Sequence, residues 1–156
     1  MTIGYTSADT ISIKTKNETI LINGEVQIGH YLIPSAGEYD ISAIQCEAQN
    51  LGQAIVYFIH TEDLTITFLS ALQSEVTKLD DASNTDILIL EVRSDNTAED
   101  LKPILKALEP AYLFLIGAGV SSEFVESLGL PTQATQNLKV TRSALPLEGT
   151  TLIQAN

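Results

Sequence analysis

The sequence predicts an α/β (α+β) domain, with stacked β-sheets and helices on one outer face. Residues 11–60 carry short strand patterns separated by turns. The runs AIVYFIH (54–60), LTITFL (64–69), DILILEV (86–92) and AYLFLIG (111–117) are apolar on both faces, so each needs cover on both sides. From Leu72 onward, helical stripes alternate with strands, which places the helices together outside a sheet. A chain of 156 residues fits a single domain, 1–156, and no linker, repeat or low-complexity segment divides it.

The elements follow in order. In ISIKTK (11–16), Ile11 and Ile13 alternate with Ser12 and Lys14, the period of a half-exposed strand. Lys16-Asn17-Glu18 turns the chain, TILIN (19–23) returns as its hairpin partner, and Asn23-Gly24 turns it again. VQIGHYLIP (26–34) and EYDISAIQCEA (38–48) each read as one strand, separated by Ser35-Ala36-Gly37. Thr61-Glu62-Asp63 joins 54–60 tightly to 64–69. Leu72, Val76 and Leu79 form one apolar stripe and predict a short helix. Leu101, Ile104, Leu105 and Leu108 predict a second, starting near Asp100 so that Pro103 falls in the first turn. A third runs from Ser121 or Ser122 as N-cap to Leu128, closed by Gly129 with Pro131 beyond. NLKVT (137–141) and TTLIQ (150–154) end the pattern as short strands.

Composition narrows the function classes. Twenty acidic residues against eight basic ones give a formal charge of −12, spread along the chain without a like-charge block. Such a surface repels phosphate backbones, and the basic residues are too scattered for a nucleic-acid footprint. No window approaches the roughly 20 apolar residues that span a bilayer. MTIGYTSADT lacks the basic and apolar regions of a signal peptide, and a lone Cys46 offers no internal disulfide. A cytoplasmic protein is expected.

Side chains able to carry chemistry are few. His30 lies within a predicted strand and His60 ends one, with no second histidine at ligand spacing, so hydrogen-bonded structural roles fit both. Cys46 has no neighbouring base to activate it. Ser121-Ser122, after Gly117-Ala118-Gly119, stands where a glycine loop meets a helix, yet no phosphate-loop lysine accompanies it. The run from Asp80 to Asp86 lacks the turn glycine and distal glutamate of a calcium loop.

A wider pattern emerges from AGEYDISAIQCEA, AIVYFIHTEDLTITFLSAL, DILILEV and LEPAYLFLIGAG taken together. The chain resembles the metallo-β-lactamase superfamily, in particular its small bacterial and archaeal hydrolase-like members, which carry a similar Pro-Gly-Glu-Tyr-Glu turn and strand. IGYTSADTISIKTKNETILIN resembles that group's opening hairpin, and LPLEGTTLIQ its last strands. The resemblance implies a metallo-β-lactamase-like fold, and in such enzymes histidines and a carboxylate hold one or two metal ions that activate water. It also implies where those ligands belong, and this sequence departs there. The His-x-His-x-Asp-His segment that normally follows the hairpin is missing, since Asn23-Gly24 passes straight to Glu25-Val26. Ser70-Ala71 stands where the bridging aspartate is implied, and Gly117, Ala118 and Gly119 stand where the last histidine is implied.

No catalytic residue, metal or cofactor is therefore assigned, and a shortened, non-catalytic structural or protein-interaction module is expected. An inactive subunit paired with an active homologue, and a metal-dependent hydrolase with a relocated site, stay open as alternatives. Removing the segment after the hairpin is expected to leave an apolar edge or face at Ile22, Ile28, Tyr31, Leu32 and Ile33, covered by a second copy in a two-fold dimer or by another protein. The other outcome is that residues 26–34 fold back over the gap themselves.

Overall fold

A computed structural model describes residues 1–156. The first half supplies β1 (Thr2–Ser7), β2 (Thr10–Lys14), β3 (Thr19–Ile22), β4 (Val26–Ile28) and β5 (Tyr31–Leu32). It continues through β6 (Gly37–Ile41), β7 (Ile44–Leu51), β8 (Ala54–Thr61) and β9 (Leu64–Leu69). The second half adds β10 (Ile87–Glu91), α1 (Ala98–Leu108), β11 (Tyr112–Ile116) and α2 (Ser122–Leu128). Three short strands finish it: β12 (Thr132–Ala134), β13 (Asn137–Lys139) and β14 (Thr151–Gln154).

These strands build two sheets. The first is antiparallel, in the order β13-β1-β2-β3-β4-β5. The second has the order β12-β14-β11-β10-β9-β8-β7-β6, parallel from β12 to β9 and antiparallel from β9 to β6. Register puts like against like. Ile3, Ile13, Ile20 and Ile28 stand in one row across the first sheet, all fully buried. Phe68, Ile89, Phe114 and Ile153 form a matching row on the second sheet, and both rows belong to one inter-sheet core. On the reverse face Leu88, Leu113 and Leu152 pack with Leu101 and Ile104 of α1 and Phe124 of α2. Cover on both faces is what the doubly apolar strands demand.

The helices have local causes. Thr97 caps α1, and the Asp100 carboxylate accepts from the Thr97 N–H at 2.8 Å. The helix thus begins before Asp100, and Pro103 falls in its second turn rather than its first. The carbonyl that Pro103 cannot serve belongs to exposed Glu99, which water reaches. Ser121 Oγ accepts from Phe124 N–H at 3.1 Å to start α2, and Gly129, at φ 66°, ends it.

Three further expectations need correction. The helix expected over Leu72–Leu79 is replaced by two 3-10 turns, Ser74–Lys78 and Asp80–Asn84. Thr77 and Ser83 hydroxyls donate to the carbonyls three residues back, which favours the tighter turn. The expected strand 38–48 is a hairpin, turned at Ser42-Ala43 with φ of 52° and 62°. The expected strand 26–34 is also a hairpin, β4–β5, so His30 lies in its turn rather than in a strand. Finally, β1 and β12 were unmarked by periodicity.

The C-terminal segment is pinned by Arg142. Its guanidinium holds both Asp86 carboxylate oxygens, at 2.8 and 2.7 Å, and the Asp63 carbonyl in the β8–β9 turn. Asp86 also accepts from Thr65 N–H at 2.8 Å.

Ile89 sits at the centre of this architecture, with no exposure. Ile89→Asp is expected to cost about 3 kcal/mol or more, since no partner awaits the charge. Denaturant unfolding that matches the parent would refute the core assignment.

Candidate functional site

Ligands of open α/β sheets gather at the carboxyl ends of parallel strands. Here those ends belong to β9, β10, β11 and β14, and they include the residues singled out from the sequence. Ser70 follows β9 directly and is tied to the sheet: its N–H donates to Ile55 O at 3.1 Å, and its Oγ accepts from Ile55 N–H at 2.9 Å. Ala71 is buried in the helix-side core.

Beyond β11, Gly117 has φ 105°, and Gly119 N–H donates to Val92 O at 2.9 Å. The ends of β10 and β11 approach closely enough to exclude a side chain at Gly117 and at Gly119, while Ala118 between them is exposed. A Cβ on Gly117 would lie 2.5 Å from Val92 O, and one on Gly119 would overlap the Arg93 carbonyl. In the first sheet, Asn23-Gly24 turns β3 directly into β4, held by Asn23 N–H to Glu25 O at 3.1 Å.

One charged side chain does reach this end of the sheet, and sequence reasoning passed over it. Glu91 terminates β10, half-buried beside Gly24 and Gly117. Desolvation raises its pKa, nearby Arg93 lowers it, and Asp9 raises it. The available signal was a single carboxylate closing an otherwise apolar strand, ILILE. Tyr5 inserts its hydroxyl between β11 and β14, where it meets Leu115 O, Ile153 O and Leu115 N, each at 3.1 Å. Burial pushes the Tyr5 pKa up to about 12, so the phenol stays protonated and is no base. Tyr5, Leu115, Val125, Leu152 and Ile153 line a cavity of about 230 Å³. This end can therefore accept a small apolar group and offers one half-buried carboxylate, with Arg93 and Asp9 as charged neighbours.

Such a donor set does not fit zinc, which needs three or four converging ligands. Nowhere in the chain do three His, Cys, Asp or Glu side chains converge for a metal. His60 Nδ1 lies 3.1 Å from Thr65 Oγ1 on the next strand. Cys46 is buried, and burial followed by the charge of Glu47 pushes its thiol up to about 12. Ser121 is occupied as the cap of α2, and Asp86 is paired with Arg142.

The expected contact patch is also corrected. Ile22, Ile28 and Ile33 are buried in the inter-sheet core, while Tyr31 and Leu32 are exposed by 47% and 46%. The physical reason is that the second sheet covers Ile22, Ile28 and Ile33 from across the inter-sheet core.

No protein-family model and no curated protein matches the chain. Among solved structures, it aligns with a proposed Zn-dependent hydrolase of the metallo-β-lactamase superfamily from Thermotoga maritima, with a TM-score of 0.69 and 12% identity. The alignment covers 100% of both chains. The fold is metallo-β-lactamase-like. At this identity the likeness is one of architecture: two facing sheets with α1 and α2 outside the second. In addition, no helix is long and apolar enough to cross a membrane.

Two outcomes follow from the packing of the strand ends. Gly117→His is expected to cost about 2 kcal/mol or more, lowering the thermal midpoint by roughly 4–8 °C, without rescue by zinc. A stable variant that binds zinc would contradict this packing. Because folding raises the Glu91 pKa, its contribution is present at low pH and is lost as pH rises through the folded value. Glu91→Gln is thus expected to gain on the parent above the ordinary carboxylate range and to match it below about pH 4. Thermal midpoints measured across pH check the sign.

Proposed function

We propose that this chain is a non-catalytic protein of metallo-β-lactamase-like fold, serving as a structural or protein-interaction module. The close packing at the ends of β10 and β11 carries the reading. Backbone crowds Gly117 and Gly119, two of the three positions where the sequence resemblance implies a histidine, the third holds the methyl of Ala118, and the donors that remain do not converge. Water activation by a metal needs open coordination held by several ligands, and Glu91 alone cannot supply it. A metal-free acid–base hydrolysis would need a second group poised near the first. Tyr5 is held protonated, and its hydroxyl is engaged by three backbone groups.

The scaffold itself is well suited to binding. Two cores, one between the sheets and one under the helices, hold the exposed strands and loops in place. The strongly acidic surface favours partners that bring positive charge.

Elemental analysis of the purified protein, after dialysis against a mild chelator, is expected to find well below one zinc, iron or manganese per chain. Ester, lactam and phosphodiester substrates are expected to turn over at background. A retained stoichiometric metal, or turnover abolished by Glu91→Gln, would replace this reading with a hydrolase.

A further inference from the structure

The second sheet ends at β6, and nothing pairs with its outer side. It is the longest edge in the molecule, five residues against two in β5 and three each in β12 and β13. The two-residue turn at Ser42-Ala43 makes Ile41 and Ile44 a hydrogen-bonded pair, and alternation then gives Tyr39 with Cys46 and Gly37 with Ala48. The N–H and C=O groups of Glu38 and Asp40 consequently point outward from the sheet. No proline, lysine or bulge blunts this edge.

Side chains on the two faces of β6 differ sharply. Glu38 and Asp40 share one face with Glu47, Gln45 and His60, around a hollow of about 430 Å³. Tyr39 and Ile41 occupy the other face, beside exposed Tyr31 and Leu32 of β5, with the Tyr31 and Tyr39 rings 6.1 Å apart. An added strand would place alternate side chains against carboxylates and against this apolar ledge.

A second copy does not fit. Only Glu38 and Asp40 present outward backbone groups, so every antiparallel self-pairing sets carboxylate opposite carboxylate. The chain's own strands offer at most one lysine each, Lys14 inside the first sheet and Lys139 in the three-residue edge strand β13, too few to match Glu38 and Asp40 together. Charge complementarity selects the opposite sign.

We propose that the β6 edge docks an extended segment of another protein in which Lys or Arg alternates with apolar residues. This rests on the interaction-module reading and names the partner's chemistry. Such strand addition draws affinity from main-chain hydrogen bonds and selectivity from alternate side chains.

Fluorescence anisotropy with a labelled peptide alternating lysine and valine tests it, with a glutamate–valine peptide as control. The basic peptide is expected to bind and the acidic one not. Asp40→Asn and Asp40→Pro lose the same charge, but only proline removes the outward N–H, and it breaks no β6–β7 bond. Asp40→Pro is expected to bind about tenfold more weakly than Asp40→Asn. Should proline disturb folding, Glu38→Lys combined with Asp40→Lys decides instead, by inverting the preference toward the acidic peptide. Absent binding, equal binding by the proline and asparagine variants when both are folded, or an unchanged preference in the double variant would overturn the proposal. The readout involves neither metal nor turnover, so its failure is separable from failure of the non-catalytic reading.

Discussion

Two rows of large apolar side chains face one another through the middle of the molecule, and the remaining structure is arranged around keeping them dry. Ile3, Ile13, Ile20 and Ile28 cross the first sheet, and Phe68, Ile89, Phe114 and Ile153 cross the second. Each such side chain, fully buried, is worth roughly 1.5–3 kcal/mol. Register is the condition for that gain, because a slip by one residue would turn every row toward the wrong face. The helices then complete the design from behind, covering Leu88, Leu113 and Leu152.

The same compactness shapes the chemistry available at the strand ends. Where β10 and β11 finish, their backbones touch through Val92, Arg93, Gly117 and Gly119, so no side chain fits at either glycine and Ala118 between them offers only a methyl group. What remains is a half-buried carboxylate beside a small apolar cavity. The sides of the sandwich differ, since the sheet edges there stay open.

Much of this was legible in the sequence. Apolar runs on both faces disclosed the buried strands, and Ser121, Gly129 and Pro131 bracketed α2, because those signals arise from local physics. The failures share another cause. Ser42-Ala43 turns a hairpin with positive φ at both residues yet shows neither glycine nor asparagine, so tertiary pairing of β6 with β7 imposes what local preference would not. Leu72, Val76 and Leu79 display a helical stripe, but hydroxyls at Thr77 and Ser83 draw the backbone into tighter turns. Glu91 escaped notice because its role depends on Gly24 and Gly117, which are distant in sequence. Ile22, Ile28 and Ile33 were misplaced for a similar reason: an apolar strand looks alike whether its cover is a partner or the chain's own second sheet.

The pairing of β1 with β13 carries a temporal consequence. Residues 2–4 lie against residues 137–139, so β1 completes its pairing only with a strand far along the chain. Until then β1 has one vacant side, and Tyr5 lacks the Leu115 and Ile153 groups that anchor it. Closure across such separations is slow compared with hairpin formation. Hairpins such as β2–β3 and β8–β9 need only neighbouring residues, whereas the β1–β13 pairing needs two distant parts of the chain to meet.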